Sequence, residues 1–360
     1  MKITKEGLFL ALSLCIAKLS YAQSPIITDT KVLDAGACEN QQMSGTCWSF
    51  SGMSFFQAEL LRKGKFKNLN LSEMFVVRNL YPMKAANYVR MHGKANFGEG
   101  GEFTDDLLCL RNFGLMPQSA YNGVQGLAYN HITLAKKLDS IATKAAKTEN
   151  ILDLKWKTDF QNALVAGLGS APEEFEYEGK TYTPKSFAEA TGLKADDYIL
   201  LSSYTHHPYY SQHVLEVPDN WNWEKVYNVP MEELSNITRS ALDQGYTVAW
   251  GADVSGTFNP QSKVQTLKIS GGKETQATAE ARQKGFETFE NQDDHAMHIV
   301  GLAKDEKGNT YFKVKNSWGK AVAAGEYFYT SPAYLQMMTT SIMVNKNALS
   351  KSLRKKLGIS

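Results

Sequence analysis

A cysteine, a histidine and two amide residues, far apart in the chain, suit nucleophilic catalysis when taken together. Gln41 stands six residues before Cys47, and Trp48 follows the cysteine directly. Apolar residues then recur at helical spacing and predict a helix that begins near Cys47. They are Phe50, Met53, Phe56, Leu60 and Leu61. Backbone N–H groups at a helix N-terminus favour the thiolate, which is the nucleophilic form. The alternative for a lone cysteine is a buried structural side chain.

The partners of such a nucleophile flank a predicted β-hairpin near the C-terminus. An apolar run and a β-prone run are joined there by a polar turn over residues 304–309. In an antiparallel hairpin, paired positions share a constant index sum, and the midpoint for His295 and Asn316 falls inside the turn. We therefore expect the two side chains almost opposite one another, with the amide oxygen orienting the imidazole. Trp318 should share a face with Asn316 and keep water off this hydrogen bond.

These blocks resemble the papain-fold cysteine peptidases, which use a Cys-His-Asn variant of the catalytic triad. The local signature of that family is Cys-Gly-Ser/Ala-Cys-Trp/Tyr, and this chain has Ser44 in place of the first cysteine. In that respect it is similar to the bleomycin hydrolase and aminopeptidase C branch. Three further segments resemble the same branch. They are Gly98-Glu99-Gly100-Gly101-Glu102, Gly114-Leu115-Met116-Pro117 and Trp250-Gly251-Ala252-Asp253-Val254.

The resemblance implies a catalytic role for four residues. Cys47 attacks the scissile carbonyl, and His295 holds the thiolate as an ion pair before it protonates the leaving amine. Asn316 orients the imidazole. The side-chain amide of Gln41 and the backbone N–H of Cys47 form an oxyanion hole.

The resemblance also implies a substrate-binding region, formed by Gly100, Gly101 and Trp318. A glycine pair lets a substrate backbone lie close along the cleft, because no Cβ interferes. Taken without the other blocks, the same pair is typical of an ordinary loop. No cofactor is implied.

The expected fold class is α+β, with a papain-like helical lobe around Cys47, a strand-rich lobe that carries His295 and Asn316, and a cleft between them. Cys47 and His295 are 248 residues apart, whereas the compact papain pattern has ~130–150. We therefore expect an inserted, mainly helical segment within about 125–230 of a peptidase domain that spans 23–344.

Local patterns predict elements within and after this insertion. Helical patterning covers residues 128–167, and Thr183-Pro184 predicts a capped helix start. Residues 230–244 predict a helix that Gly245 stops, and residues 246–254 predict a strand.

The first 22 residues predict a secretory signal peptide, with Lys2 and Lys5 before an apolar core and Ser20-Tyr21-Ala22 before Gln23. We therefore expect a periplasmic or secreted protein without a stable membrane span. Cleavage would remove three lysines and one glutamate, which leaves basic and acidic residues equal in number. That balance gives no electrostatic reason to expect nucleic-acid binding.

The number and spacing of the cysteines and histidines bear on disulfide bonds and metal sites. Cys38, Cys47 and Cys109 follow the signal segment, an odd number that disfavours a disulfide framework, although a Cys38–Cys109 bridge stays open. His206, His207 and His213 share one loop with no cysteine or carboxylate expected to complete a ligand set, so no metal site is predicted and exposed loop histidines are favoured. His298 should face away from His295.

The resemblance implies an exported cysteine peptidase, an aminopeptidase of the bleomycin hydrolase type whose terminal carboxylate receives the substrate's α-amino group. The tail, residues 345–360, also fits a surface helix, since Leu349, Leu353 and Leu357 recur among basic residues. The alternatives are a papain-like endopeptidase with an open cleft and a non-catalytic peptide-binding protein. A homohexamer follows from the resemblance alone.

Overall fold

The computed structural model of the chain describes residues 24–123 and 128–359. The predicted signal peptide, residues 1–22, lies outside the described residues. In the described ranges, no helix combines the length and the apolar character that a membrane span requires.

Ten α-helices lie in the described ranges. They are α1 (Cys47–Arg62), α2 (Glu73–Arg90), α3 (Phe103–Asn112), α4 (Ile132–Ala146), α5 (Lys155–Leu168), α6 (Pro184–Thr191), α7 (Met231–Asp243), α8 (Ala279–Glu287), α9 (Pro332–Met338) and α10 (Lys351–Leu357).

The helix boundaries follow local sequence signals. Thr183 caps α6, because its hydroxyl accepts a hydrogen bond from the backbone N–H of Ser186, and Pro184 occupies the first turn. After α7 the backbone reverses at Gly245, whose φ of 87° favours glycine. The predicted helices that begin at Cys47 and Pro184 and end before Gly245 are therefore confirmed.

Most strands join one mixed sheet, which has 11 strands among the described residues. Its main path runs β5-β6-β4-β15-β7-β12-β13-β14-β9-β8, and β1 pairs with β12. The strands of this sheet are β1 (Thr28–Val32), β4 (Tyr198–Ser202), β5 (Gln212–Val214), β6 (Lys225–Asn228), β7 (Val248–Ala252), β8 (Thr257–Asn259), β9 (Val264–Thr266), β12 (His295–Lys304), β13 (Thr310–Lys315), β14 (Tyr327–Thr330) and β15 (Thr339–Asn345). Two small hairpins pair β2 (Phe175–Tyr177) with β3 (Lys180–Tyr182) and β10 (Ile269–Ser270) with β11 (Lys273–Glu274).

The β12–β13 hairpin is confirmed, but its predicted register is wrong by two to three residues. Lys304 pairs with Thr310 and His298 with Lys315, and the register shifts between Ile299 and Gly301. Asn316 therefore lies just past the end of β13, not within a strand opposite His295. A bulge of this kind inserts an extra residue into one strand, which a constant index sum does not anticipate.

Two hydrophobic cores lie on the opposite faces of the sheet. The first core joins α1–α6 to side chains such as Ala249 and Ala296. The second joins the neighbouring, oppositely directed residues, such as Trp250 and Met297, to the helices α7, α9 and α10. Successive strand residues point to opposite faces, so β7 and β12 supply both cores. The α+β architecture, with a helical and a strand-rich part, is as predicted.

Candidate active site

Cys47 is the first residue of α1, where that helix meets the first residues of β12. The backbone N–H of Ala296, the residue after His295, points at Cys47 Sγ across 3.5 Å. One turn along α1, the hydroxyl of Ser51 donates to the carbonyl of Ala296 at 2.6 Å. The two hydrogen bonds fix the cysteine beside the strand that carries the histidine.

His295 and Asn316 are brought together as expected, although by a different route. His295 Nε2 lies 2.8 Å from Asn316 Oδ1. The amide is held in one orientation, because Oδ1 also accepts from the backbone N–H of Ser317 at 2.9 Å and Nδ2 donates to the carbonyl of Gly325 at 3.3 Å. Since Oδ1 is an acceptor, Nε2 of His295 must carry the proton. The other ring nitrogen, Nδ1, is then free to exchange a proton.

The ring of Trp318 stacks on His295, with ring centroids 4.3 Å apart and planes at 22°. His295 itself is only 4% exposed. The Trp318 ring therefore covers a face of the buried imidazole, and the exclusion of water from the hydrogen bond to Asn316 stays a prediction. Trp318 reaches this position from the turn after β13, since the strand ends at Lys315.

Gln41 is buried beside the same turn. Its Oε1 accepts from the hydroxyl of Ser317 at 2.6 Å, and its Nε2 donates to the carbonyl of Ser44 at 2.8 Å. A primary amide has two N–H donors. One of them is satisfied by Ser44, which leaves the second N–H for another acceptor.

The glycine pair lies in the loop before α3, which is hydrogen-bonded to a side chain of α2. Lys84 Nζ donates to the carbonyls of Gly98, at 2.8 Å, and of Gly100. A Cβ at Gly101 would come within 2.6 Å of Asp105 Oδ2 and 2.9 Å of a Trp48 ring atom. The glycines are thus required for the close packing of the chain itself, a need that the sequence interpretation did not include.

Burial dominates the electrostatics of the cysteine. It raises the pKa of the Cys47 thiol to about 12; the backbone N–H groups of Ala296 and Trp48 lower this pKa only in part, and the charges of Asp293 and Asp219 raise it further. The prediction that the helix N-terminus favours the thiolate is therefore wrong for Cys47 alone, because desolvation outweighs the backbone donors.

Burial acts in the opposite direction on the imidazole. It lowers the pKa of His295 to about 4, against the hydrogen bond to Asn316, which raises it. A Cys47 thiolate alone and a His295 imidazolium alone are thus both disfavoured in this site. A proton that moves from Cys47 to His295 creates both charges together, and their mutual attraction compensates part of the desolvation cost.

Buried carboxyl groups surround the site, and sequence reasoning did not find them. Burial raises the pKa of Asp293 to about 7, and the negative charge of Asp219 raises it further. The pKa of Glu102 is also well above its usual range, because of burial and of Asp293 beside it. Asp293 stands two residues before His295, which is the only sequence signal it offers. Glu102 ends the Gly98–Glu102 segment noted in the sequence, where its carboxyl group was given no role, and Asp219 comes from another element and offers no signal.

The loop histidines require a correction, because a carboxylate does stand beside them. Glu216 Oε2 lies 2.6 Å from His206 Nε2 and 3.3 Å from His207 Nε2. His213 is buried, not exposed as predicted. Gln283 Nε2 lies 2.8 Å from His206 Nδ1, which makes Nδ1 the acceptor and Nε2 the donor to Glu216. Together with His207 and Glu216, His206 forms a group of three possible metal ligands whose ligand atoms lie within 4.8 Å of one another, which the sequence did not predict.

The remaining candidates are placed as follows. His298 faces away from His295, as predicted, and its Nδ1 lies 2.9 Å from the hydroxyl of Ser54 on α1. Cys38, Cys47 and Cys109 are all free thiols, and Cys109 is buried. The open possibility of a Cys38–Cys109 bridge is thus excluded.

Comparison with known proteins gives the family. A profile of the Peptidase C1-like family matches residues 98–359, well over half of the chain. The chain belongs to this family. The family match begins after Cys47, so the nucleophile's side of the site depends on the geometry described above and on relatives that align over more of the chain. Fold and family are those of a cysteine peptidase.

Curated relatives and one solved structure extend the match. Aminopeptidase C of Lactococcus lactis subsp. cremoris is 23% identical over 353 residues, which cover 87% of this chain and 81% of the relative. Aminopeptidase C of Listeria monocytogenes is 24% identical, with the same coverage of 87% and 81%. The crystal structure of PepW from Lactobacillus rhamnosis HN001 superposes with a TM-score of 0.70 at 19% identity, covering 92% of this chain and 84% of that one.

Proposed function

We propose that this member of the Peptidase C1-like family is an exported cysteine aminopeptidase that acts through Cys47, His295 and Asn316. The observation that carries the proposal is the meeting of two distant segments. Cys47 Sγ lies 3.5 Å from the backbone nitrogen of Ala296, and the neighbouring His295 is hydrogen-bonded to Asn316 at 2.8 Å. The aminopeptidase names of the relatives support cleavage at free N-termini.

In the first step, the Cys47 proton passes to Nδ1 of His295 while Sγ bonds to the scissile carbonyl carbon. Asn316 holds the ring through Nε2–H, which leaves Nδ1 as the base. The carbonyl oxygen becomes an oxyanion near the second N–H of Gln41 and the backbone N–H of Cys47; one such donor contributes ~10²–10³ in kcat.

In the next steps, the proton on His295 moves to the amine of the leaving peptide as the C–N bond breaks. The first residue is then held as a thioester on Cys47. Water, deprotonated by His295, attacks the thioester carbonyl and releases the free amino acid and the thiol. Trp318 stacked on the imidazole keeps bulk water from the hydrogen bond to Asn316.

The test uses residues 23–360 and two coumarin amides, one with a free alanine and one with N-acetylalanine. We expect cleavage of the free substrate only, and a loss of at least ~10³-fold in Cys47→Ala, since the nucleophile is gone. Cys38→Ala is the matched control, because Cys38 is another free, partly exposed thiol and should leave activity intact. Equal cleavage of both amides would make the chain an endopeptidase. Cleavage of neither would leave a peptide-binding protein.

Export is proposed from the sequence of the first 22 residues. Expression of the full chain in a bacterial host should give a periplasmic or secreted product that begins at Gln23. N-terminal sequencing measures this directly, and a cytoplasmic product that retains Met1 would contradict it.

A further inference from the structure

A carboxylate lies against the glycine loop of the cleft and has no role in the chemistry described so far. A Cβ at Gly100 would lie 1.9 Å from Asp219 Oδ2, so the carboxylate packs directly on this glycine. Asp219 Oδ1 accepts from Asn96 Nδ2 at 2.9 Å. Among the described residues, Oδ2 accepts no hydrogen bond. One oxygen is thus fixed, and the other is available to a ligand.

The segment that carries Asp219 is firmly attached to the first core. Trp221 Nε1 donates to Asp105 Oδ1 at 2.8 Å, and the carbonyl of Trp221 accepts from Asn87 Nδ2 at 2.7 Å. Asn220 closes the turn through its own side chain, which donates to the carbonyl of Glu224 at 2.9 Å. Asp219 is therefore held in place by neighbours on both sides, and its position is a fixed feature of the cleft.

Asp219 lines a cavity of about 310 Å³. Its walls combine polar and apolar side chains, among them Asp219, Asp293, Thr340, Val217, Phe286 and Phe289. No lysine or arginine is among the described residues that line it. The charge of Lys84 acts on Asp219, and Asp293 is hydrogen-bonded to the hydroxyl of Thr340, at 3.4 Å, and to Glu102. In the described part of the chain, Oδ2 of Asp219 still has no donor, and a carboxylate oxygen of this kind in a partly buried space favours a cationic partner.

Asp219 is linked to the nucleophile through the glycine loop, because it packs on Gly100, and a Cβ at Gly101 would lie 2.9 Å from a ring atom of Trp48, which follows Cys47. The charges of Asp219 and Asp293 both act on the Cys47 thiol, and Asp293 is two residues from His295. In a peptide bound to Cys47 through its first carbonyl, the α-amino nitrogen is only two bonds of about 1.5 Å from the attacked carbon. The free N-terminus of a bound peptide therefore lies close to Cys47, on which the charges of Asp219 and Asp293 act.

We propose that Asp219, with Asp293 in the same cavity, receives the protonated α-amino group of the substrate's first residue. This inference rests on the proposed aminopeptidase function and assigns its selectivity to the cleft wall. An ammonium group would donate a charge-assisted hydrogen bond to Oδ2 of Asp219. An acylated nitrogen carries no charge and cannot form this charge-assisted hydrogen bond.

The tail carboxylate implied by the family resemblance is a different candidate for the same task. The described tail packs elsewhere: Leu353 and Leu357 enter the second core, and Lys356 Nζ lies 3.2 Å from the hydroxyl of Tyr210. Ser360 lies outside the described residues. Asp219 and Asp293 are carboxylates whose charges act on the Cys47 thiol.

The experiment measures kcat/KM for three coumarin amides that differ only at the nitrogen: alanyl, propionyl and N-acetylalanyl. Propionyl lacks the amino group and adds no bulk, so it isolates the contribution of the charge. We expect Asp219→Asn to lower kcat/KM for the alanyl amide by ~10–100-fold, the value of a hydrogen bond to a charged group. The propionyl amide should change by no more than about twofold.

Two controls separate a lost contact from a damaged site. Glu290→Gln removes an exposed negative charge near the cavity without lining it, and should change all three rates by no more than about twofold. Iodoacetamide should label Cys47 in Asp219→Asn at least as fast as in the wild type, because one negative charge near the thiol is removed. Asp293→Asn is measured in parallel and should also reduce the preference for the alanyl amide.

The outcomes are distinct. If both asparagine variants keep the wild-type preference for alanyl over propionyl amide and label normally, the inference is overturned and the aminopeptidase function stands. If iodoacetamide does not label Cys47 in Asp219→Asn, the site of that variant is damaged and Asp293→Asn is used instead. An unchanged preference of Asp293→Asn for the alanyl over the propionyl amide would overturn the inference equally. If the wild type itself cleaves all three amides at one rate, or none of them, the proposed function fails and the inference falls with it.

Discussion

For single residues, the reactivity of Cys47 depends on where its proton can go. Burial raises the pKa of the thiol to about 12. The base we propose for its proton is His295, which precedes the Ala296 N–H that points at Sγ. We expect His295→Ala to slow iodoacetamide labelling of Cys47 at pH 7 by at least ~10-fold, because the thiol then loses its proton acceptor. Cys38, also a free thiol, serves as the internal reference and should label at an unchanged rate. An equally fast reaction of Cys47 in the variant would show that backbone N–H groups suffice.

Some of these residues and their properties could be predicted from the sequence and others could not, for physical reasons. Cys47 and His295 were found because a helix start and a hairpin are local patterns, whereas Asn316 reaches His295 from the turn after β13 and not through the predicted register. The direction of the Cys47 pKa was predicted wrongly, because desolvation depends on what packs over the thiol from other elements. Asp219 was missed, since only the folded chain brings its segment to Gly100.

Among the secondary-structure elements, the β12–β13 hairpin shows what a pattern cannot specify. The two runs and their turn were predicted, but the shift between Ile299 and Gly301 was not. A Cβ at Gly301 would lie 2.4 Å from the carbonyl oxygen of Lys31, so this glycine lets β1 approach β12. Asn316 reaches His295 from the following turn, where its own N–H donates to the carbonyl of Glu326 at 2.8 Å. The register shift and the neighbouring strand β1 together set the geometry of the β12–β13 hairpin.

The start of helix α2 contains a buried acid whose titration should be visible in the stability. Burial raises the pKa of Glu73 from 4.5 to about 8 in the folded chain. The native state thus holds this proton more tightly than the unfolded state does. Its contribution to stability is complete below the unfolded pKa and is lost as the pH rises through about 8.

Replacing this acid should therefore flatten the pH dependence of stability. We expect Glu73→Gln to gain stability over the wild type as the pH rises from 5 to 8.5, by ~1.4 kcal/mol for each unit of the raised pKa. Thermal unfolding across this range measures the difference. Glu189→Gln, at an exposed position of α6, is the control and should show no such trend. A constant difference between Glu73→Gln and the wild type would mean that Glu73 titrates normally.

In the molecule as a whole, the residues between Cys47 and His295 along the chain contribute to both hydrophobic cores. Helices α4 and α5 pack on α2 in the first core, whereas β4, β5 and β6 extend the central sheet. The connection from β5 to β6 then returns to α2 and α3 through Trp221 and carries Asp219 to the cleft. The long separation of Cys47 from His295 predicts an inserted segment within about 125–230, and this stays a prediction. The separation gave no sign that the β5–β6 connection would place Asp219 against Gly100.

The tail gives the last prediction, because it separates two ways of recognising an N-terminus. If the cleft carboxylates receive the amine, removal of residues 358–360 should leave the ratio of alanyl to propionyl cleavage within about twofold of the wild type. If a tail carboxylate receives it, that preference should disappear. Leu353→Ala is the matched control for tail packing, since Leu353 is buried in the second core. It should lower the unfolding free energy by ~2–5 kcal/mol and leave the preference unchanged. A truncated enzyme that cleaves both amides equally would locate the recognition in the tail, and Asp219 would then serve packing alone.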